Sequence, residues 1–417
     1  MFDRQPDLLR FVASRVLGGM AMQITSVALG WLVYDRTHSA YALGWLALFQ
    51  FLPALPLVAA TGHAADNFDR RWVISSSLIA QIIGAFALFG FFASPGFSIT
   101  WLYGLGLVLG AVRAFSPPAQ QALLASLVPS EQLSRAVALA SSTNQMAVIV
   151  GPMLGGLVYA WIGAGVFFLA AGLQVLALGL MLTLKRRPQP KETHRAGVWS
   201  RALAGLAYVR SRPILLGAIT LDLFAVILGG VTSLLPIFAK DILKVGPTGL
   251  GMLQSGPAIG AMLVGFTLTR LPIKRRAGAT MLWCVAGYGV ATVVFGLSRS
   301  FPLSILAMIC TGGFDMVSVV VRQTLVQVAT PDHMRGRVSA VSSVFIAGSN
   351  RLGDFESGVV AGLVGAGPSA VIGGVGSILV VALTAWLVPP LRNADRLSPE
   401  LQVEVEPLAA EEVAASS

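Results

Sequence analysis

Long apolar runs, separated by short polar segments, place the strongest constraint on how this chain can fold. A helix needs ~20 apolar residues to cross a hydrocarbon core. About twelve runs meet that requirement, and they cover residues 8–33, 41–61, 72–93, 99–122, 134–158, 162–184, 213–239, 248–269, 277–297, 301–328, 337–363 and 368–389. Only 12% of the 417 residues are charged, about half the share in soluble proteins. We therefore predict an all-α integral membrane protein with about twelve transmembrane helices.

Lysine and arginine are distributed unevenly between the two ends of these runs. Of the 29 lysines and arginines, 21 fall at one end, 4 at the other and 4 inside the runs. Cytoplasmic loops of membrane proteins carry the excess of these residues. The distribution predicts a multi-pass protein of a bacterial inner (cytoplasmic) membrane, with both termini in the cytoplasm. It also accounts for the net charge of +10 without a nucleic-acid partner.

The two halves of the chain resemble each other at an offset of 202 to 207 residues. Residues 113–158 match residues 315–360 without a gap, so that Gly151 aligns with Gly353. Parallel repeats of this kind are a known transporter architecture, with the substrate site between the halves. We predict four parts: an N-terminal six-helix bundle (1–184), a cytoplasmic linker that can hold an amphipathic helix (185–212), a C-terminal six-helix bundle (213–389) and a disordered cytoplasmic tail (390–417).

Two short motifs lie in the first half. Residues 62–71 read Gly-His-Ala-Ala-Asp-Asn-Phe-Asp-Arg-Arg, and within them Asp66 and Arg70 are one helical turn apart and can pair. Residues 151–156 read Gly-Pro-Met-Leu-Gly-Gly. The glycines let another helix approach closely, and the proline weakens the helix. The simpler explanations are positive-inside charges for the arginines and close packing for the glycines.

With these motifs the chain resembles transporters of the Major Facilitator Superfamily over nearly its full length. Residues 62–71 resemble the superfamily's loop signature of glycine, three residues, aspartate, two residues, glycine, arginine and a basic residue, with Asp69 in place of the second glycine. Residues 151–156 resemble the Gly-Pro-x-x-Gly-Gly core of its exporter signature. The acidic residue before the arginines, together with residues 331–338, most resembles the enterobactin-exporter-like branch (transmembrane secretion effectors). Macrolide-type efflux pumps share much of this pattern.

The resemblance implies a fold of two parallel six-helix repeats, alternating access to a central site, and a monomer. It also implies roles for two groups of residues. A cytoplasmic gate motif comprises Gly62, Asp66, Arg70 and Arg71. An exporter motif, which forms a pliant contact between rocking helices, comprises Gly151, Pro152, Gly155 and Gly156.

Ionisable residues inside the predicted spans are costly to insert, at ~2.5–3.5 kcal/mol each, and so they suggest function. Arg15 aligns with Asp222 at offset 207 and Arg113 with Asp315 at offset 202, so that equivalent positions carry opposite charges. We expect these residues to line one central cavity, in which Asp222 and Asp315 exchange protons. Fixed ion pairs are the alternative, and Arg15 can instead snorkel to the interface. Further candidates are Arg322, Gln23, Asn144 and Gln323 for the substrate cavity, and Arg351, Asp354 and Glu356 for an outer gate.

These features predict a secondary active transporter that exports a small organic molecule, such as a siderophore or a drug, in exchange for protons. An importer of a small solute and a non-transporting membrane sensor or scaffold are the alternatives. The chain has no phosphate-binding G-x-x-x-x-G-K-[ST] run, and its four histidines lack ligand spacing. We therefore expect no enzyme activity, no metal and no cofactor. The expected partners are the small-molecule substrate, protons and the lipid bilayer.

Overall fold

The computed structural model describes residues 6–94, 96, 98–185, 205–271, 273 and 276–393. The chain forms twelve helical spans within these ranges, where it contains no strand. We number the spans α1 to α12 in chain order: Pro6–Thr37, Ala40–Phe51 continued by Ala54–Asn67, Arg70–Ala93, Ile99–Leu127, Leu133–Ile162, Val166–Leu182, Pro213–Gly229, Gly246–Arg270, Ala277–Leu297, Phe301–Val328, Asp332–Val364 and Ala366–Leu387. A short helix, Pro389–Arg392, follows α12.

Hydropathy identifies most of these spans directly. Ten stretches of the described chain are long and apolar enough to cross a membrane, and one of them, Ser130–Leu182, contains both α5 and α6. The span that is missing from the ten is α11, whose sequence is interrupted by charged residues such as Arg351 and Asp354. It packs against α2, α7 and α12 all the same. The predicted all-α fold with about twelve spans is confirmed.

Two spans are interrupted near their middle or end. The break in α2 falls at Leu52 and Pro53, because a proline lacks the N–H that would continue the helical hydrogen bonds. The helix α7 ends at Gly229 and is continued by short turns as far as Ile242, the last of which is the π-helix Phe238–Ile242. Single π-turns occur frequently at functional sites.

The helices α1–α6 and α7–α12 form two groups that meet along two lines. On one line α5 packs against α8, and on the other α2 packs against α11. Glycines make both approaches close. A Cβ atom on Gly44 of α2 would lie only 2.9 Å from the carbonyl oxygen of Phe355 in α11. The two contacts are equivalent in the repeat, because α2 aligns with α8 and α5 aligns with α11.

Two names describe the ends of the bundle. The basic face is the end that carries Arg70, Arg71, Arg135 and Arg270, and the opposite face is the end at which α1 connects to α2 and α7 to α8. Much of the predicted linker, residues 186–204, lies outside the described residues, as does the predicted tail from residue 394 onward. Residues 205–210 are helical, and within them the Tyr208 hydroxyl donates to the Ala329 carbonyl at 3.1 Å.

Candidate functional site

A cavity of about 440 Å³ lies among the helices of the first group and is lined by one described residue of the second. Its walls come mainly from α1 and α4, with smaller parts from α2 and α3, and α11 of the second group contributes Arg351. The lining includes Phe11 and Ser14 near the start of α1 and Gln120 and Gln121 near the end of α4, so the cavity extends toward the basic face. Its volume lies within the range of sites for small organic molecules.

The charge of this cavity is entirely positive among its lining residues. Three arginines line it, namely Arg15, Arg113 and Arg351, and no aspartate or glutamate does among the side chains that the structure describes. The uncharged polar part of the lining consists mostly of amides, which are Gln50, Gln81, Gln120, Gln121 and Asn144. Such a surface offers hydrogen-bond donors to a negatively charged group and repels a cation.

The three arginines differ in how they are held. Arg113 donates from Nη1 to the side-chain oxygen of Gln50 at 3.2 Å, and its buried Nε has no partner in the described part of the chain. Arg351 pairs with Asp354 of its own helix at 3.6 Å, and 43% of its side chain remains exposed. Arg113 and Arg351 are close enough for their charges to repel each other. For Arg15 the structure gives no hydrogen bond or ion pair to any described residue.

The predicted proton-exchanging aspartates lie elsewhere. Asp222 of α7 forms an ion pair with Arg322 of α10, with 8% and 1% of the two side chains exposed. Asp315 is half-buried in α10 and has no ion pair within the described ranges. None of the three residues lines the cavity. The prediction that all four aligned residues line one cavity is therefore wrong. Arg15 and Arg113 face the cavity, while their equivalents in the repeat, Asp222 and Asp315, do not.

The remaining cavity candidates are also divided. Asn144 lines the cavity, as expected. Gln23 packs against α5 instead: its Cγ lies 3.3 Å from the position that a Cβ atom on Gly151 would take. Gln323 is exposed on α10 and does not line the cavity.

The loop between α2 and α3 is fastened to the basic face by its two arginines. Arg70 donates to the Ala65 carbonyl at 3.3 Å and to the Ala122 carbonyl of α4 at 2.9 Å, and Arg71 donates to the Leu184 carbonyl after α6. Cations near helix C-termini are stabilised by the helix dipole. The motif arginines therefore tie three helix ends together within the first half.

The departure from the loop signature at Asp69 has a structural reason. Its carboxylate accepts from the Arg71 N–H at 3.0 Å and so caps the N-terminus of α3. Gly62 has open space where a Cβ atom would be placed. The side chain of Asp66 lies outside the description, so its pairing with Arg70 stays a prediction.

The exporter motif lies at the join between the two groups of helices. A Cβ atom on Gly155 would come within 2.9 Å of the Ile24 Cα in α1, and one on Gly156 would lie 3.1 Å from the Gly251 nitrogen in α8. Pro152 is buried beside them. The motif thus places α5 in close contact with α1 on one side and with α8 on the other.

The acidic residues of α11 hold the break in α7. Asp354 accepts from the Ser233 N–H at 3.2 Å, and the Ser233 hydroxyl donates to the Asp354 carbonyl at 2.7 Å. The Ser357 hydroxyl donates to the Gly230 carbonyl and also contacts Glu356 at 3.4 Å. Of the predicted outer-gate residues, Arg351 lines the cavity, while Asp354 binds the segment that follows the α7 break.

Four polar residues join the two halves at the opposite face, and sequence reasoning did not find them. The Tyr34 hydroxyl donates to the carboxylate of Asp241, and Lys240 Nζ pairs with Asp35 at 2.6 Å. We call Tyr34, Asp35, Lys240 and Asp241 the inter-half latch. Tyr34 and Asp241 are 207 residues apart, which is the repeat offset. Polar residues at equivalent positions of the repeat are the sequence signal that could have pointed to this contact.

Comparisons with known proteins agree with one another. The family model described as Major Facilitator Superfamily matches residues 11–353. A protein named enterobactin exporter EntS from Shigella boydii serotype 18 is 26% identical over 402 residues, which cover 96% of each chain, and its Escherichia coli O9:H4 counterpart is 25% identical with the same coverage. A bacterial homolog of the human lysosomal transporter Spinster, solved inward-facing and occupied, superimposes with a TM-score of 0.72 at 14% identity and covers 94% of this chain and 98% of its own.

Proposed function

The chain belongs to the Major Facilitator Superfamily of membrane transporters, and from this premise we propose that it exports a small organic molecule from a bacterial cytoplasm in exchange for protons. The molecule is siderophore-like or drug-like in this proposal. Similarity to proteins named enterobactin exporter over 96% of both chains supports export. The concentration of Lys and Arg at the basic face supports placing that face in the cytoplasm.

One observation carries the proposal: the cavity extends toward the basic face, while the two halves are joined at the opposite face. The joins are Gly156 against Gly251, Gly44 against Gly358, and the inter-half latch. With the basic face in the cytoplasm, this conformation takes up substrate from the cytoplasm. Release on the other side then requires the joins at the opposite face to separate, as alternating access demands.

Asp222 and Asp315 are the proton carriers of this proposal. Asp315 lacks a cationic partner in the described chain, so it can take up a proton without breaking an ion pair. Protonation of Asp222 would instead release the buried guanidinium of Arg322. A buried arginine that loses its carboxylate must find another partner. Proton uptake at Asp222 is thereby linked to a rearrangement between α7 and α10.

The two sequence motifs supply the moving contacts. Arg70 and Arg71 of the gate motif hold helix ends together at the basic face of the first half, and in this proposal Gly62 and Asp66 act with them. The exporter motif holds α5 against α8. Asp354 of α11 accepts a hydrogen bond from Ser233 in the segment after the α7 break, which supports a role for α11 in opening the opposite face. We propose that a single chain carries out the cycle.

Transport into inside-out vesicles tests the function. Vesicles that contain the protein receive a panel of siderophores and drugs, with and without an imposed proton gradient. We expect accumulation of a panel compound that needs the gradient, is abolished by Asp315→Asn and is reduced by Asp222→Asn. The matched control is Glu131→Gln, which removes an exposed carboxylate at the basic face.

The contrary outcomes are equally concrete. Accumulation that does not respond to the gradient contradicts proton exchange. Uptake that appears only in right-side-out vesicles would identify an importer instead. An unchanged rate in the Asp315→Asn variant removes that residue from the coupling mechanism.

A further inference from the structure

We propose that the cavity is a binding site for an organic anion, held by Arg15 and Arg113 of the first half and by Arg351 of the second. This inference rests on the proposed function in one respect, because it takes the cavity to be the transport site. It adds the chemical class of the substrate. It also assigns Arg351 to substrate binding.

The unbalanced charge of the cavity is the first support. Three guanidinium groups line one space of about 440 Å³ that no carboxylate of the described side chains lines. Placing like charges together in a membrane protein is unfavourable, and ionisable groups there normally pair with each other. Asp222 and Arg322 follow that rule, and Arg351 pairs with Asp354, whereas the structure gives Arg15 and Arg113 no ion pair with a described carboxylate. An anion would supply the missing counter-charge.

The donors of the cavity are the second support. Arginine presents several N–H groups in a planar fork that binds carboxylates and similar oxyanions with two hydrogen bonds. The buried Nε of Arg113 is without a partner in the described chain, and Arg15 makes no hydrogen bond there. These groups have the donors that an anion would engage.

The rest of the lining indicates an organic rather than an inorganic anion. The space is larger than an inorganic ion needs, and its walls include Phe11, Phe51, Ile74 and Leu78. Aromatic and aliphatic walls of this kind bind the carbon framework of a ligand, while a few polar groups fix its orientation. Negative groups on an apolar framework fit both parts of the surface.

The position of Arg351 gives binding a consequence for the second half. Its partner Asp354 also holds the Ser233 N–H, and Ser233 begins the segment that carries Lys240 and Asp241 of the latch. An anion in the cavity competes with Asp354 for the Arg351 guanidinium. Binding therefore acts on the same carboxylate that holds this segment in place.

The test uses two dyes with the same ring system and opposite charge. Full-length protein in phosphatidylcholine nanodiscs is titrated with fluorescein, an anion, and with rhodamine 123, a cation, and fluorescence anisotropy reports binding. Protein-free nanodiscs correct for partition into lipid, and the zwitterionic lipid removes anionic headgroups as competitors. We expect fluorescein to bind at least about tenfold more tightly than rhodamine 123.

Matched variants locate the site. Arg113→Gln and Arg351→Gln are each expected to weaken fluorescein binding by about tenfold or more, because each removes charge-assisted hydrogen bonds. Arg351→Lys, which keeps the positive charge but loses the planar fork, is expected to weaken fluorescein binding less than Arg351→Gln does. Arg299→Gln, which removes an exposed cation at the opposite face, is expected to bind like the wild type.

A gain of affinity guards against misfolding as an explanation. Asp354→Asn removes the charge that competes for Arg351 but keeps an acceptor for Ser233. We expect it to tighten fluorescein binding about two- to five-fold, in line with a half-exposed ion pair. Equal binding of the two dyes, no binding of fluorescein, or wild-type affinity in both glutamine variants would overturn the anion site.

The anion site and the proposed function fail in different experiments. Dye binding without gradient-driven transport of any compound would leave the anion site standing and refute proton-coupled export. Gradient-driven transport that depends on Asp315, together with equal binding of the two dyes, would support proton-coupled export and refute the anion site.

Discussion

Removing the Tyr34 hydroxyl tests whether the inter-half latch holds the opposite face closed. Tyr34→Phe keeps the ring but deletes the donor to the Asp241 carboxylate. A hydrogen bond to a charged group contributes about 1.5–3 kcal/mol, and we take the lower end because the contact is only partly buried. The Asp35–Lys240 pair has 42% and 23% of its side chains exposed, so it contributes only about 0.2–1 kcal/mol.

Tyr34→Phe is therefore expected to shift the equilibrium by about 1.5 kcal/mol, or roughly twelve-fold, toward the form that is open at the opposite face. Loss of the Asp35–Lys240 pair as well would bring the shift to about 2 kcal/mol, or roughly thirty-fold. Spin labels at Ser94 and Ser300 report this shift. Both residues are exposed at the opposite face, and they lie in different halves. Pulsed electron paramagnetic resonance then measures the population of the longer distance.

Two comparisons decide the reasoning. Tyr103→Phe removes another tyrosine hydroxyl, on α4, for which the structure gives no contact with the second half. Equal distance distributions in Tyr34→Phe and Tyr103→Phe would refute the latch. Either single change, Asp35→Lys or Lys240→Asp, is expected to raise the population that is open at the opposite face. The double variant, in which the two charges are swapped, is expected to restore the closed population.

Three further predictions concern packing, capping and charge pairing. Gly44→Ala brings a Cβ atom to 2.9 Å from the backbone of α11. We expect it to disfavour the closed opposite face by about 1–3 kcal/mol, as measured by the same spin-label distances. The control is Gly90→Ala, because Gly90 has open space around it. Asp69→Ala removes the cap of α3 and is expected to lower stability by about 0.5–2 kcal/mol in thermal unfolding, whereas equal melting of Asp69→Ala and Asp69→Asn would contradict the capping role. Arg322→Gln leaves Asp222 unpaired in the interior and is expected to lower the free energy of unfolding by about 3–5 kcal/mol. The double variant that also carries Asp222→Asn is expected to recover stability. A double variant no more stable than Arg322→Gln would argue against the pair.

The twelve spans were predictable because hydropathy is a sum over neighbouring residues and needs no knowledge of packing. The apolar run 337–363 predicts even α11, whose charges keep it out of the ten most apolar stretches, and the match of this run with α5 in the repeat agrees with that prediction. The break in α2 at Pro53 has a local cause too, although the apolar run 41–61 predicts one unbroken span.

The direction in which each polar side chain points could not be predicted from hydropathy. Arg15 and Asp222 are equivalent in the repeat, yet Arg15 faces the cavity and Asp222 faces Arg322. A helix crossing a membrane has the same hydropathy whatever its rotation about its own axis. Which face meets the cavity is therefore decided by the neighbouring helices.

By itself, the sequence determined the number of spans, the twofold repeat, the two motifs and the identity of the membrane-embedded charges. Only the tertiary structure decided which charges meet: Arg351 joins Arg113 in the cavity, and Tyr34 meets Asp241 across the two halves. The physical reason is that burial in lipid acts on each segment independently, whereas ion pairs and hydrogen bonds require two segments to come within a few ångströms of each other. That approach is set by the packing of glycine-lined helices, such as α2 on α11 and α5 on α8.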